Sequence, residues 1–243
     1  MRDSGASELG AWVEELAWPQ VQTRLESGAI AVLPVGASAK EHGLHLPMNT
    51  DAVQAKWLAQ HLSERANILV WPLVGYGYYP AFLDFPGSCS IARGCFEHLV
   101  ADILGGIFAS GAESALILNT GISTIAPLEN VIKSTHKPIK LANVYCGPRY
   151  LEAERRLREQ PRGGHADELE TSIMLAIAPD TVAMTSAKRW TPASMGPGKF
   201  VRGDPNHPNY CPDGAFGDPT LATREKGERL LEAMLEDLLA GLT

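Results

Sequence analysis

The chain has 243 residues, 45% of them hydrophobic and 20% charged, a composition that suits one sizeable globular domain. Its net charge of −7, without any basic cluster, argues against nucleic acid and acidic membrane surfaces as partners. No apolar run approaches the roughly 20 residues of a membrane span. Nothing resembles a secretory signal, and the four cysteines (Cys89, Cys95, Cys146, Cys211) lack C-x-x-C spacing, so a reduced, cytoplasmic setting is expected.

Residues 1–9 are small and polar and read as a loose arm. Leu16-Ala17-Trp18-Pro19 opens a helix running to about Glu26, with Pro19 early enough that its missing N–H costs little. Ile30 to Val35 has the length and β-branching of a buried strand, and Gly36 breaks it into a loop holding Glu41, His42, His45 and Asp51. Imidazole and carboxylates delivered from one strand end suit borderline divalent metals such as zinc or manganese. Extended backbone sends residues i and i+2 to one side and neighbours apart, so Glu41 and His42 face one site only if the loop bends. The next stretch, AVQAKWLAQHLSERA, reads as a helix with Val53, Trp57, Leu58 and Leu62 on one face. Asp51 would sit at its N-cap; metal binding is preferred over capping for that carboxylate.

Ile68 to Val74 reads as a second strand with an irregular end at Pro72. An aromatic loop follows, placing Tyr76, Tyr78, Tyr79, Phe82 and Phe85 either in a pocket or against a neighbouring subunit. From Arg93 to Ser110, apolar residues recur at i, i+3, i+4 and i+7, with Cys95 and His98 expected to pack. A strand at Ala115–Asn119, a helix at about Pro127–Thr135 and a strand at Ile139–Tyr145 complete an alternation that argues for a mostly parallel sheet covered on both faces. In this three-layer αβα arrangement ligands bind beyond the carboxyl ends of the strands, where the chemically rich loops lie. Gly163-Gly164-His165 then leads into a helix whose apolar face is Leu169, Ile173, Met174 and Ile177. The glycines give His165 unusual access, while Glu168 reads as favourable first-turn charge. The Pro/Gly-rich stretch 188–219 is too long for a plain connector and is expected to serve the site or a subunit contact, with Trp190, His207 and Tyr210 unassigned. Leu230, Leu231, Met234, Leu235, Leu238 and Leu239 mark a closing packing helix.

Four separated stretches resemble the creatininase (creatinine amidohydrolase) family, in the order that family shows. PVGASAKEHGLHLPMNTD (34–51) resembles its PVGS-x-EQHG-PHLP-x-x-TD; FPGS (85–88) resembles FPGT; GHADELETS (164–172) resembles GHAG-x-x-ETS; and GDPTLATREKG (217–227) resembles GDPTLAT-x-x-KG. The resemblance implies that His42 and Asp51 are metal ligands, Asp51 bridging two ions in relatives. It also implies that His165 transfers protons and that Glu170 faces the metal region. Two departures stand out. The family's first carboxylate is replaced by Lys40 in a loop one residue longer, and its NGHGGN or NGHYEN step reads NTGIST, with Gly121 in place of the histidine ligand and Ser123 two further on.

By resemblance the chain is therefore expected to be a single creatininase-like α/β domain over 1–243. It would be an amidohydrolase acting on a C–N bond of a small cyclic amide or formamide. One divalent ion, zinc or manganese, would be held by His42, Asp51 and Glu170. His165, with Lys40 and Glu41, would form the catalytic set, and Tyr79, Phe82, Ser88, Thr120 and Ser123 would line the substrate. A homo-oligomer, hexameric as in relatives, is expected. Two other readings fit the same residues: a metal-free enzyme of another class using Lys40 and His165, and a non-catalytic binding subunit.

Overall fold

The computed structural model describes residues 9–192, 195–196 and 198–242; of the loose arm expected at the start, residues 1–8 lie outside the described residues. Five strands form one all-parallel sheet: β1 (Ala11–Trp12), β2 (Ile30–Val35), β3 (Ile68–Val70), β4 (Ala115–Asn119) and β5 (Ile139–Asn143), in the order β1-β3-β2-β4-β5. Seven α-helices accompany them among the described residues: α1 (Trp18–Glu26), α2 (Thr50–Ser63), α3 (Arg93–Ala109), α4 (Ile125–Lys133), α5 (Pro148–Leu157), α6 (Glu168–Ile177) and α7 (Arg224–Leu242).

The layers follow from the two-residue period of the strands. Val32, Ile68, Val70, Leu116 and Leu118 point to one face, where they pack with Leu58 and Leu62 of α2, Tyr150 of α5, Ile173 of α6 and Leu231 and Leu235 of α7. Their neighbours Ala31, Leu33, Leu69, Ala115 and Ile117 point to the other, against Leu25 of α1, Phe96, Val100 and Ile107 of α3 and Leu128 of α4. The strand runs are apolar throughout because both faces are covered. The chain leaves β2 for β3 and returns across β2 to β4, so the central pair β2/β4 is a switch in strand order. Their carboxyl ends, Val35 and Asn119, open the crevice where such sheets bind ligands.

Several expectations are corrected. The edge strand β1 is only two residues long and left no readable run. The second expected strand stops at Val70, not Val74; Trp71 and Val74 still donate to Val32 and Pro34, but Pro72 interrupts the ladder and only a bridge at Val35–Val74 resumes it. Helix α5 was not expected, since its sequence PRYLEAERRL is mostly charged and buries Tyr150 alone. Cys95 and His98 are exposed on α3 and do not pack within the chain. Asp51 is not an N-cap: Asn49 holds that position, and Asp51 lies inside the first turn of α2. Within 188–219 the described residues form short bridges, Trp190–Gly217, Val201–Tyr210 and Phe216 with His165, and the Trp190 indole donates to the Tyr210 carbonyl.

Candidate functional site

Three segments meet beyond the carboxyl ends of β2 and β4: the loop from Gly36 to α2, the entrance to α6, and the turn after β4. The first brings Lys40, Glu41, His42 and Asp51 inward, all buried. Lys40 and His42, two residues apart, both reach Asp51: Lys40 Nζ lies 2.7 Å from Oδ2, and His42 Nε2 lies 3.0 Å from Oδ1. Glu41 turns the other way, as extended backbone requires, and its Oε1 meets His165 Nε2 at 2.5 Å. The loop nonetheless bends enough that both directions end in one cluster, the His42 and His165 rings lying 5.0 Å apart. Gly214 makes room for this bend, since a Cβ there would fall 1.6 Å from Glu41 Oε2 and the backbone φ of +82° is one that side chains disfavour.

The entrance to α6 is equally specified. Asp167 caps the helix by accepting from Leu169 and Glu170 N–H. Ala166 sits at φ +47°, uncommon for a residue with a side chain, and its N–H donates to Glu170 Oε2. This tight turn folds His165 and Glu170 back onto one another, with Nδ1 3.8 Å from Oε2. Glu170 Oε1 lies 3.6 Å from His42 Nε2.

Hydrogen bonding fixes how the imidazoles are presented. His42 Nδ1 lies 2.9 Å from the Lys40 carbonyl, which can only accept, so Nδ1 carries the hydrogen and the Nε2 lone pair faces Asp51 and Glu170. A lone pair 3.0 Å from a carboxylate oxygen calls for a proton or a cation between them. His165 is reversed: Nε2 donates to the side chain and carbonyl of Glu41, leaving Nδ1 towards Glu170. Burial works against a charge on His165, but the Glu41 carboxylate raises its pKa above the ordinary histidine value. Burial likewise opposes ionisation of Asp51, yet Lys40 and His42 hold its carboxyl well below the usual range. His45 does not join the cluster. Its Nε2 pairs with Thr171 Oγ1 at 2.8 Å, and burial lowers it to about 4, so it is a neutral core histidine.

The cluster floors a cavity of about 180 Å³. Tyr79 and Phe82 form one wall, and Phe82 packs on the His165 ring at 4.4 Å. Thr120 and Ser123 form another; the Thr120 hydroxyl is committed to the Asp51 and Val35 carbonyls. Ser88, expected on the substrate side, is not at the wall; its hydroxyl accepts from Glu41 N–H and so holds the loop that carries Glu41. Glu168, expected as first-turn charge, is fully buried and receives Glu159 N–H, Gln160 N–H and Lys226 Nζ. The third wall was not anticipated: Tyr145 beyond β5, and Tyr150, Glu154 and Arg158 on or just past α5. Sequence gave no signal for it beyond the two tyrosines, because the wall exists only once α5 packs on α7, which also supports α6. Trp190, His207 and Tyr210 lie away from the cavity, whereas Phe200 reaches the His165 ring at 5.8 Å.

A parallel αβα sheet with buried carboxylates and imidazoles at its strand switch, under a small cavity, defines a hydrolase-type centre able to hold a divalent ion. His42, His165 and Glu170 each present a ligand atom within 4.8 Å of the others. The sequence matches the family described as "Creatininase: Creatinine amidohydrolase" over residues 14–242, and the chain belongs to that creatininase family of hydrolases. It is 26% identical to the creatinine amidohydrolase of Pseudomonas putida over 252 residues, covering 93% of this chain and 94% of the other. It is 24% identical to the 3-dehydro-scyllo-inosose hydrolase of Thermotoga maritima, over 94% and 81% of the two chains. A solved manganese creatininase shares the fold with a TM-score of 0.79 at 24% identity, over 96% of this chain and 97% of that one.

Proposed function

We propose that the chain is an amidohydrolase that cleaves a C–N bond of a small cyclic amide or formamide, using one divalent ion held by His42, Asp51 and Glu170. The observation that carries this reading is the His42 Nε2 lone pair, fixed by the Lys40 carbonyl, facing Asp51 Oδ1 at 3.0 Å and Glu170 Oε1 at 3.6 Å. Ligands that each sit about 2.0–2.2 Å from zinc lie roughly 3.0–3.6 Å from one another, and the His42–Asp51 and His42–Glu170 separations of 3.0 and 3.6 Å support one ion between them. An ion bound there, zinc or manganese, would polarise a carbonyl oxygen and acidify water.

The rest of the chemistry falls to the chain's own groups. His165 keeps its Nε2 hydrogen on Glu41 and moves a proton at Nδ1, the atom nearer Glu170, to or from the scissile nitrogen. Glu41 orients that ring and favours its charged form. Tyr79 and Phe82 exclude water from the Lys40–His165 side, and the Ser123 hydroxyl, without a hydrogen-bond partner among the described residues, is free to meet a polar substituent. Two of the similar proteins are named for small rings, creatinine and 3-dehydro-scyllo-inosose, and others are mycofactocin precursor peptide peptidases; the cavity of about 180 Å³ favours the small molecule.

A metal-free centre built on Lys40 and His165 is the second reading, favoured by the ammonium 2.7 Å from Asp51. The test is an assay of chelator-treated protein, with and without added zinc or manganese, against creatinine, other cyclic amides, formamides and the inosose. Metal-restored hydrolysis of an amide supports the first reading; turnover indifferent to metal supports the second. We further take the working form to be a cytoplasmic homo-oligomer. Light scattering at micromolar concentration tests its assembly, where a clean monomer contradicts it.

A further inference from the structure

We propose that Lys40 is a fixed cation of the cavity that takes the place of a second divalent ion and donates a hydrogen bond to the acyl oxygen of a neutral carbonyl substrate. The inference rests on the amide-cleaving reading for the bond that is broken, but its structural basis is separate. Asp51 is divided between two partners: Oδ1 faces the His42 side and Oδ2 faces the ammonium at 2.7 Å. Lys40 is buried, and its Nζ lies 4.9 Å from the centre of the Phe82 ring and 6.0 Å from that of Tyr79. It has no further hydrogen-bond partner among the described residues, although an ammonium carries three donors. At least one donor is therefore left for the cavity that Lys40 lines.

A divalent ion on the Oδ2 side would lie within ~4 Å of this ammonium, where like charges repel strongly at any protein-like dielectric. Nor are there ligands for one. That side offers the Thr120 hydroxyl, already committed to two carbonyls, and Gly121, which has no side chain. The single group of three or more metal-binding side chains among the described residues lies on the other side, at His42, His165 and Glu170. Charge selects the ligand as well. Lys40 is balanced by Asp51 and His165 faces Glu41, while Glu170 adds a further negative charge, so a carboxylate would be repelled where a neutral carbonyl is accepted. An ammonium donor strengthens as negative charge grows on that oxygen, which is the behaviour that favours a transition state over a ground state.

The probe is 2-pyrrolidinone, a neutral cyclic amide, titrated by NMR into the metal-free full chain and its Lys40→Met and Lys40→Gln variants. We expect Lys40→Met to weaken binding at least tenfold and Lys40→Gln, whose amide can still donate, to fall between. Equal affinity in all three, or no detectable binding to the unaltered chain, overturns the proposal. If Lys40→Met fails to fold by its melting curve, the Lys40→Gln comparison decides alone. Zinc titration with elemental analysis gives the second readout: one ion per subunit in the unaltered chain, bound at least tenfold more tightly once Lys40 is neutral. Two ions in the unaltered chain overturn the proposal. No ion at all removes the metal from the proposed function and leaves the pyrrolidinone result to judge Lys40.

Discussion

Glu41 and His165, 124 residues apart in the chain, are joined across the cavity floor, Oε1 lying 2.5 Å from Nε2. Burial alone would push this imidazole towards neutrality, and the carboxylate overcomes it. Glu41→Gln keeps the shape and removes the charge. The His165 titration midpoint, followed by histidine NMR, should then fall. The sign is also set for stability: a raised pKa stabilises the fold below the unfolded value and is lost as pH rises through the folded one. An unchanged or higher midpoint in the variant would mean that Glu41 does not set the charge of His165.

His45 gives the opposite pH dependence. Its folded pKa of about 4 lies below the ordinary value of 6.5, so the unfolded chain binds the extra proton between those two pH values. Stability should therefore fall as the solution is acidified from pH 6.5 to pH 4, by roughly 1–3 kcal/mol from this group. His45→Gln, which can still bond the Thr171 hydroxyl, should lose that part of the acid sensitivity in urea melts compared across this range. Parallel curves for the two proteins would count against it.

Asp51→Asn leaves the Lys40 ammonium buried without its counter-charge. Breaking one side of a buried pair typically costs about 3–5 kcal/mol. The double variant Lys40→Met/Asp51→Asn removes both charges and should recover at least about half of that loss. If the two single changes simply add in denaturant titrations, the pair is not coupled and Lys40 is solvated by some other route.

Gly227 lets α7 press directly on α6, since a Cβ at that position would sit 1.9 Å from the Ser172 carbonyl oxygen. Gly227→Ala should destabilise the protein by about 1–3 kcal/mol through overpacking, against the usual helix-favouring effect of alanine. A melting temperature equal to or above that of the unaltered chain would show that the helices can part without cost.

The sheet was legible because its strands are short, apolar and regularly spaced, and four of the five were found within a few residues of their true ends. The fifth, β1, is two residues long and has no period to read. At the site, the i, i+2 relation of Lys40 and His42 was visible in the sequence and survives in space, both side chains ending on Asp51. The partner of Glu41 was not visible, because it depends on a loop bend made possible by Gly214, more than 170 residues away. Glu168 shows the other limit: a carboxylate in a first helical turn is ordinarily solvent-facing, and only the folded chain reveals the two N–H groups and the lysine that enclose it.

That enclosure has a mechanical consequence. Helix α5, which carries Tyr150, Glu154 and Arg158 over the cavity, is clasped at both ends to the same support. At its start, Asp237 of α7 accepts the N–H groups of Arg149 and Tyr150. Just past its end, Glu168 of α6 accepts those of Glu159 and Gln160, with Lys226 of α7 closing the clasp. Of the groups that would break bonds, Lys40, Glu41, His42 and Asp51 hang instead from the β2 loop, while His165 and Glu170 belong to the entrance of α6. One jaw of the cavity thus belongs to the α6/α7 pair and the facing jaw to the sheet, so the gauge of the opening is set by how those two bodies abut. Reshaping the α5 jaw through Tyr150, Glu154 or Arg158 should change which ring the protein accepts while leaving the Lys40, His42 and Asp51 cluster of the β2 loop where it is.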